Sequence, residues 1–215
     1  SGMAMISAGD LDAVEPLIDQ NLRVLGEFAR EGFPIIAAEP ATTLCLTQEY
    51  PNLTDHPDTS AVANATIDAG EFLGNLHAKG QLKTEFRRVE HSAGFHTPCH
   101  TKALGTERRW RELLALIPGF EVHSIEKGCS GMAGAFGLTK QNYDISLQIG
   151  QPLFDHLQKS DYSLGVTDCT SCRLQIEQGS SLAGVHPLKI LALAYGLMPE
   201  LKTKFTPSSN PLIST

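Results

Sequence analysis

Apolar positions recur every three or four residues through Leu11, Val14, Leu17, Ile18, Leu22, Leu25 and Phe28, the spacing of one face of an α-helix. Asp10 stands where an N-cap belongs and Gly32 where such a helix would stop, so a helix is predicted between them. Residues 34–38, Pro-Ile-Ile-Ala-Ala, form a short apolar run closed by Glu39-Pro40 and predict a buried strand. A helix is predicted over 42–49, ending at Tyr50-Pro51. Residues 51–59 are turn formers and predict a loop. The positions Val62, Ala65, Ile67, Phe72, Leu73 and Leu76 predict one further helix over 60–78. A polar stretch over 79–88 then divides the chain, with a boundary near residue 85 and domains at 1–85 and 86–215.

The back part alternates between the two periods. Strands are predicted over 89–96, 120–125 and 162–166, and helices over 102–117, 142–157 and 187–197, the last with Pro187 in its first turn. Strand and helix in alternation imply a parallel sheet covered on both faces, with the loops at the carboxyl ends of the strands carrying the site. A faint repeat links the parts: residues 35–43 and 164–172 both read as apolar strand, acidic residue, polar helix start. In the front copy Pro40 and Thr43 occupy the places of Cys169 and Cys172. The fold class is therefore α/β, parallel sheets flanked by helices, in two similar halves of which the front one is incomplete.

Composition narrows the function classes. A chain of 215 residues with 41% hydrophobic and 19% charged content is large enough to bury a core without disulfides or metal. A formal charge of −7 argues against general nucleic-acid binding, which needs a concentrated basic surface. No apolar run approaches the roughly 18 residues of a membrane span, and no basic-then-apolar leader opens the sequence. A soluble, cytoplasmic protein is expected, associated with a membrane only through partners. The two Asn-x-Thr sequons at Asn52 and Asn64 then carry no glycan, and Ser1-Gly2 reads as an expression remnant.

The candidate chemistry lies in the cysteines. Cys99 follows Pro98, Cys129 sits in Gly128-Cys129-Ser130-Gly131, and Cys169 and Cys172 form a Cys-x-x-Cys pair at a helix start. The intervals from Cys99 to Cys129 and from Cys129 to Cys169 are each about one strand-helix-strand unit. Each segment follows a predicted strand, so all would gather at one sheet edge, as thiolate ligands of a soft metal or an iron–sulfur cluster do. The helix start favours thiolates at Cys169 and Cys172. Alone, that pair also admits the lesser readings of a redox disulfide or two unrelated thiols.

Other residues have plainer readings. Gly128, Gly131, Gly134 and Gly137 permit close backbone approach to a cluster, or simply make a turn with close helix packing and no ligand; they match neither phosphate-binding fingerprint. Cys45, between Leu44 and Leu46, reads as core. His96 and His100 flank Cys99 as candidate extra ligands or hydrogen-bond donors, and His186 before Pro187 reads as positioning a helix start. Ser130 lacks the Gly-x-Ser-x-Gly elbow of a hydrolase nucleophile.

Together Pro98-Cys99-His100, the run Gly128-Cys129-Ser130-Gly131-Met132-Ala133-Gly134, Cys169-x-x-Cys172 and His186-Pro187-Leu188-Lys189 resemble the cysteine-rich CCG domain, over residues 86–200. That domain occurs in heterodisulfide reductase, in iron–sulfur subunits of glycolate oxidase and anaerobic glycerol-3-phosphate dehydrogenase, and at the C-terminus of FAD-linked oxidases of D-2-hydroxy acids, which the Gly-Cys-Ser-Gly-Met-Ala-Gly form resembles most. The resemblance implies that Cys99, Cys129, Cys169 and Cys172 are cluster or metal ligands. It further implies an iron–sulfur module that passes electrons from a D-2-hydroxy-acid-oxidising flavin to an acceptor. FAD is then expected only on a missing part or a partner, a flavin-containing dehydrogenase domain or subunit. The front part resembles the tail of a preceding copy, which makes the chain a piece of a longer polypeptide. Where the family has two adjacent cysteines this chain has Cys129-Ser130, leaving four thiolates, enough for a 4Fe-4S cluster or for tetrahedral zinc. The other readings are a zinc-stabilised assembly domain without redox activity and a thiol–disulfide exchanger working through Cys169 and Cys172.

Overall fold

The computed structural model describes residues 1–200, so the end of the second predicted domain, 201–215, lies outside the described residues. Two compact units part between Phe72 and Leu73.

In the front unit, helix α1 (Met3–Ala8) precedes α2 (Leu11–Arg30), whose N-cap Asp10 accepts the Ala13 N–H through its carboxylate at 3.4 Å. Val14, Ile18 and Leu22 of α2 are buried against Cys45, Leu46, Tyr50 and Val62, each such aliphatic side chain contributing about 1.5–3 kcal/mol. Leu11 and Phe28, at the two ends of the apolar stripe, stay exposed. Strand β1 (Ile35–Ala37) leads into α3 (Pro40–Leu44), a π-helical stretch (Cys45–Glu49) and α4 (Tyr50–Leu53). The helix therefore starts earlier and ends later than predicted. Pro51 has no N–H for an i−4 bond, and the wider turn before it, with Tyr50 N–H donating to the Cys45 carbonyl, accommodates its ring. Cys45 is fully buried, as its apolar neighbours imply.

The helix predicted over 60–78 is interrupted. Helix α5 (Thr59–Ala65) gives way to strand β2 (Thr66–Asp68), which pairs in parallel with β1 from Ile35↔Thr66 to Ala37↔Asp68, before α6 (Ala69–Ala78) begins. Two β-branched residues in a three-residue strand were hidden by helical periodicity on either side. Strand β1, helices and parallel β2 reproduce in small form the strand-helix-strand unit of the back half, in keeping with the repeat.

The back unit holds a four-stranded, all-parallel sheet in the order β4-β3-β5-β6, built from β3 (His91–His96), β4 (Phe120–Ile125), β5 (Leu164–Val166) and β6 (Ala183–Val185). Between β3 and β4 the single predicted helix is two, α7 (Cys99–Leu104) and α8 (Arg109–Leu114), because Gly105 ends the first in a left-handed cap at φ +70°. Helix α9 (Tyr143–Lys159) joins β4 to β5, α10 (Thr170–Ser180) joins β5 to β6, and α11 (Pro187–Ala194) follows β6. Strand β6, Ala183-Gly184-Val185, with Val185 its one strand-favouring residue, left no mark in the hydrophobic pattern. Leu153, Phe154 and Leu157 of α9 pack with Ile125 and with Ile176 of α10.

Helix α10 ends at Ser181, held at φ +61° and ψ 9°. A left-handed serine is strained where glycine is not. Ser181→Gly is expected to raise the melting midpoint by about 2 °C in a thermal unfolding scan.

Candidate metal centre

Strand order decides where a site belongs. From β3 the chain moves outward to β4, whereas from β5 it moves the other way to β6, so the loops leaving the neighbouring strands β3 and β5 diverge. A crevice at the carboxyl edge of such a switch point is the ligand site of open parallel sheets. The loop after β3 carries Cys99, the loop after β5 carries Cys169 and Cys172, and the loop after β4 carries Cys129. All four predicted ligands therefore stand at the same edge. Cys45 lies in the front unit.

Cys169 is the N-cap of α10 and Cys172 lies in its first turn; they are 7% and 8% exposed. No cysteine of the five, all among the described residues, is joined in a disulfide. The Cys172 thiol is pushed well above its ordinary range, first by its hydrogen bond with Cys169, then by burial and by the charge of Cys169, with Cys129 adding to the effect and the Ser130 hydroxyl opposing it. Cys129, Ser130, Cys169 and Cys172 thus share one neighbourhood. Crowded thiolates oppose each other's ionisation, and a bound cation relieves that opposition. Cys99, first residue of α7, is exposed, with its Sγ 3.9 Å from His100 Nδ1. Among the described residues no three His, Cys, Asp or Glu side chains stand close enough to enclose a single ion.

The Cys129 loop is pinned from behind. Gly131 has φ +89°, and a Cβ there would lie 1.9 Å from the Ser146 carbonyl oxygen on α9; a Cβ at Gly150 would lie 2.4 Å from the Ser130 carbonyl oxygen. The glycines therefore let loop and helix touch backbone to backbone. Gly131 N–H donates to Cys129 Sγ at 3.3 Å. Behind the loop Gln175 Nε2 donates to Ser146 Oγ at 3.1 Å and Ser146 Oγ donates to the Tyr143 carbonyl at 2.7 Å, tying α10 to α9. Sequence reasoning missed Ser146, Gly150 and Gln175, since their roles arise only from packing across helices. It also missed Thr101, whose Oγ1 donates to Asp168 Oδ2 at 3.0 Å, both residues being buried.

The histidines separate. His186 caps α11, its Nδ1 accepting the Leu188 N–H at 3.1 Å, which is the helix-start role read from sequence. His96, at the end of β3, is 2% exposed, and its Nδ1 finds no hydrogen-bond partner among the described residues. Burial, and secondarily the Lys102 charge, push His96 down to about 4 from its ordinary 6.5. Its neutral form is native, so its contribution is whole above pH 6.5 and is lost as pH falls from there toward 4, a loss of about 3 kcal/mol. Burial raises the thiol of Cys45 and the phenol of Tyr50, so their contributions are whole below about pH 9 and lost above it. Unfolding of the metal-free chain in denaturant should show a stability plateau between these limits, with the acid loss visible in the fluorescence of Trp110, the sole tryptophan, buried in the back unit. A His96→Gln variant should lose much of the acid dependence.

The donor set suits a soft metal or an iron–sulfur cluster. It offers four sulfurs at one edge, two of them buried at a helix start, and a backbone N–H on a third. Comparison with known proteins supplies the family. Residues 93–177 match the model of the cysteine-rich CCG domain. The chain is 32% identical over 194 residues to a subunit of the anaerobic glycerol-3-phosphate dehydrogenase of Escherichia coli, covering 90% of this chain and 48% of that protein. It is 28% identical over 193 residues to a subunit of the fumarate reductase (CoM/CoB) of Methanothermobacter marburgensis, covering 88% and 36%. With the D-2-hydroxyglutarate dehydrogenase of Pantoea ananatis it shares 26% identity over 196 residues, covering 89% and 18%. The chain spans about half the length of the first of these relatives and less of the others.

Proposed function

Because this chain carries a cysteine-rich CCG domain, we propose that Cys99, Cys129, Cys169 and Cys172 hold an iron–sulfur cluster of the 4Fe-4S type, in an electron-transfer module of a flavin-linked dehydrogenase. The reading is carried by one observation: Cys129 shares a neighbourhood with the buried pair Cys169 and Cys172 at the switch point of the sheet. Such a cluster, when bound, supplies one-electron chemistry.

The chain's own residues do the rest. Cys169 and Cys172 keep their sulfurs out of water, and the crowding and burial that push the Cys172 thiol up are relieved when a cation binds. The Gly131 N–H donates to Cys129 Sγ, and hydrogen bonds to ligand sulfurs are one of the levers on potential. Cys99 and Cys129 are the exposed ligands, so electrons enter or leave on their side. Zinc also takes four thiolates.

FAD belongs to another part or a partner. Its substrate in this reading is a secondary alcohol of the D-2-hydroxy-acid kind; the relatives named for D-2-hydroxyglutarate and for glycerol-3-phosphate share the secondary alcohol, and the first shares the 2-hydroxy acid as well. Among the described residues no helix is long and apolar enough to cross a membrane. A reducing compartment such as the cytoplasm is the setting these thiolates need. Anaerobic reconstitution with iron and sulfide tests the reading. Iron and acid-labile sulfide in equal amounts, with brown thiolate-to-iron absorption, are expected. Retention of zinc alone, with no iron taken up, overturns it in favour of the assembly domain.

A further inference from the structure

We propose that the buried hydrogen bond from Thr101 to Asp168 is the clamp that sets Cys99 against Cys169 and Cys172, which makes Thr101 and Asp168 positioning residues of the metal centre. The inference rests on the ligand reading above. Strands β3 and β5 pair from Ala93↔Leu164 to Phe95↔Val166, and past that point the chains diverge toward α7 and α10. Thr101 lies in the same helical turn as Cys99, and Asp168 directly precedes Cys169, the N-cap of α10. Their bond, 3.0 Å from Oγ1 to Oδ2, therefore ties the two ligand-bearing segments together beyond the end of the backbone ladder.

The surroundings give this tie its weight. Thr101 is 2% exposed and Asp168 fully buried, so no water takes the place of a lost hydroxyl without rearrangement, and a hydroxyl on a carboxylate is among the stronger neutral-donor bonds. Helix α7 is only six residues long and stops at Gly105. Its first residue, Cys99, is exposed, and its Sγ faces the ring of the adjacent His100. A short helix with an exposed ligand depends on its buried side, and Thr101 is the buried residue of α7.

The test uses the 215-residue chain reconstituted anaerobically with iron and sulfide. Thr101→Val and Asp168→Ala should each release iron to a chelator about tenfold faster than the unaltered chain, the scale of outer-sphere changes at metal sites. Thr101→Ser, which keeps the hydroxyl, should stay within about twofold, and in a Cys99→Ser background Thr101→Val should add less than about twofold, because residues acting through one ligand are not additive. A metal-free arm uses a short bifunctional thiol reagent: the yield of Cys99–Cys169 crosslink relative to Cys169–Cys172 should fall in Thr101→Val and recover in Thr101→Ser. If Thr101→Val loses the native Trp110 emission, Thr101→Ala replaces it. The proposal is overturned if Thr101→Val matches the unaltered chain in both arms, or if it exerts its full effect without Cys99. A chain that takes no iron but shows the crosslink change overturns the cluster reading and leaves the clamp standing.

Discussion

Cys172→Ser is expected to strip the reconstituted chain of nearly all its iron, with Cys169→Ser doing the same. Both sulfurs are buried at the start of α10, where a serine hydroxyl offers a hard, weakly acidic donor in place of a soft thiolate and no water reaches in to substitute. Cys99→Ser and Cys129→Ser remove exposed ligands, so water or a hydroxyl replaces them and part of the iron is retained, lost to a chelator about tenfold faster. Cys45→Ser serves as the control. It lies in the front core, where its thiol donates to the Ser1 carbonyl at 3.1 Å and a serine hydroxyl can do the same, so iron content should be unchanged and the front unit should lose about 1 kcal/mol or less. Iron, sulfide and visible absorption measured per chain decide the matter, and full iron content in Cys172→Ser would end the ligand assignment.

Gly131→Ala should be the most damaging of the glycine-to-alanine changes in the Cys129 loop. The residue has φ +89°, and the added carbon would lie 1.9 Å from the Ser146 carbonyl oxygen, a backbone atom of α9 that cannot turn aside. Left-handed backbone costs about 1–2 kcal/mol for a non-glycine residue, and displacing loop from helix brings the expected loss to about 4 kcal/mol or more. Gly128→Ala, three residues earlier, isolates the conformational part: φ is +86° but the space around it is open, so about 1–2 kcal/mol is expected. Urea unfolding followed through Trp110 separates the two. Equal losses would mean that the Cys129 loop is not held against α9.

Much of this was legible in the chain. The alternation of strand and helix beyond residue 89 foretold the parallel sheet, and cysteines placed after successive strands foretold that their loops share an edge. The α2 stripe, the buried Cys45 and the His186 cap were readable because each depends on near neighbours in sequence. Strands β2 and β6 were not readable, since both owe their state to pairing with β1 and β5. The break at Gly105 was overridden by apolar spacing on both sides of it. Thr101, Ser146 and Gln175 carried no signal at all: a buried hydroxyl or amide has meaning only through the residue it meets, and those partners come from other elements. Gly131 was read either as room for a ligand or as a turn packed closely on a helix, and its contact with α9 bears out the second.

Everything turns on whether these sulfurs surround iron or merely lie near one another. Iron K-edge X-ray absorption on the anaerobically reconstituted chain reads this at the metal itself. A first shell made only of sulfur and a second shell of neighbouring iron are expected, both lost in Cys172→Ser. A first shell of oxygen and nitrogen with no iron–iron scattering would refute the assignment.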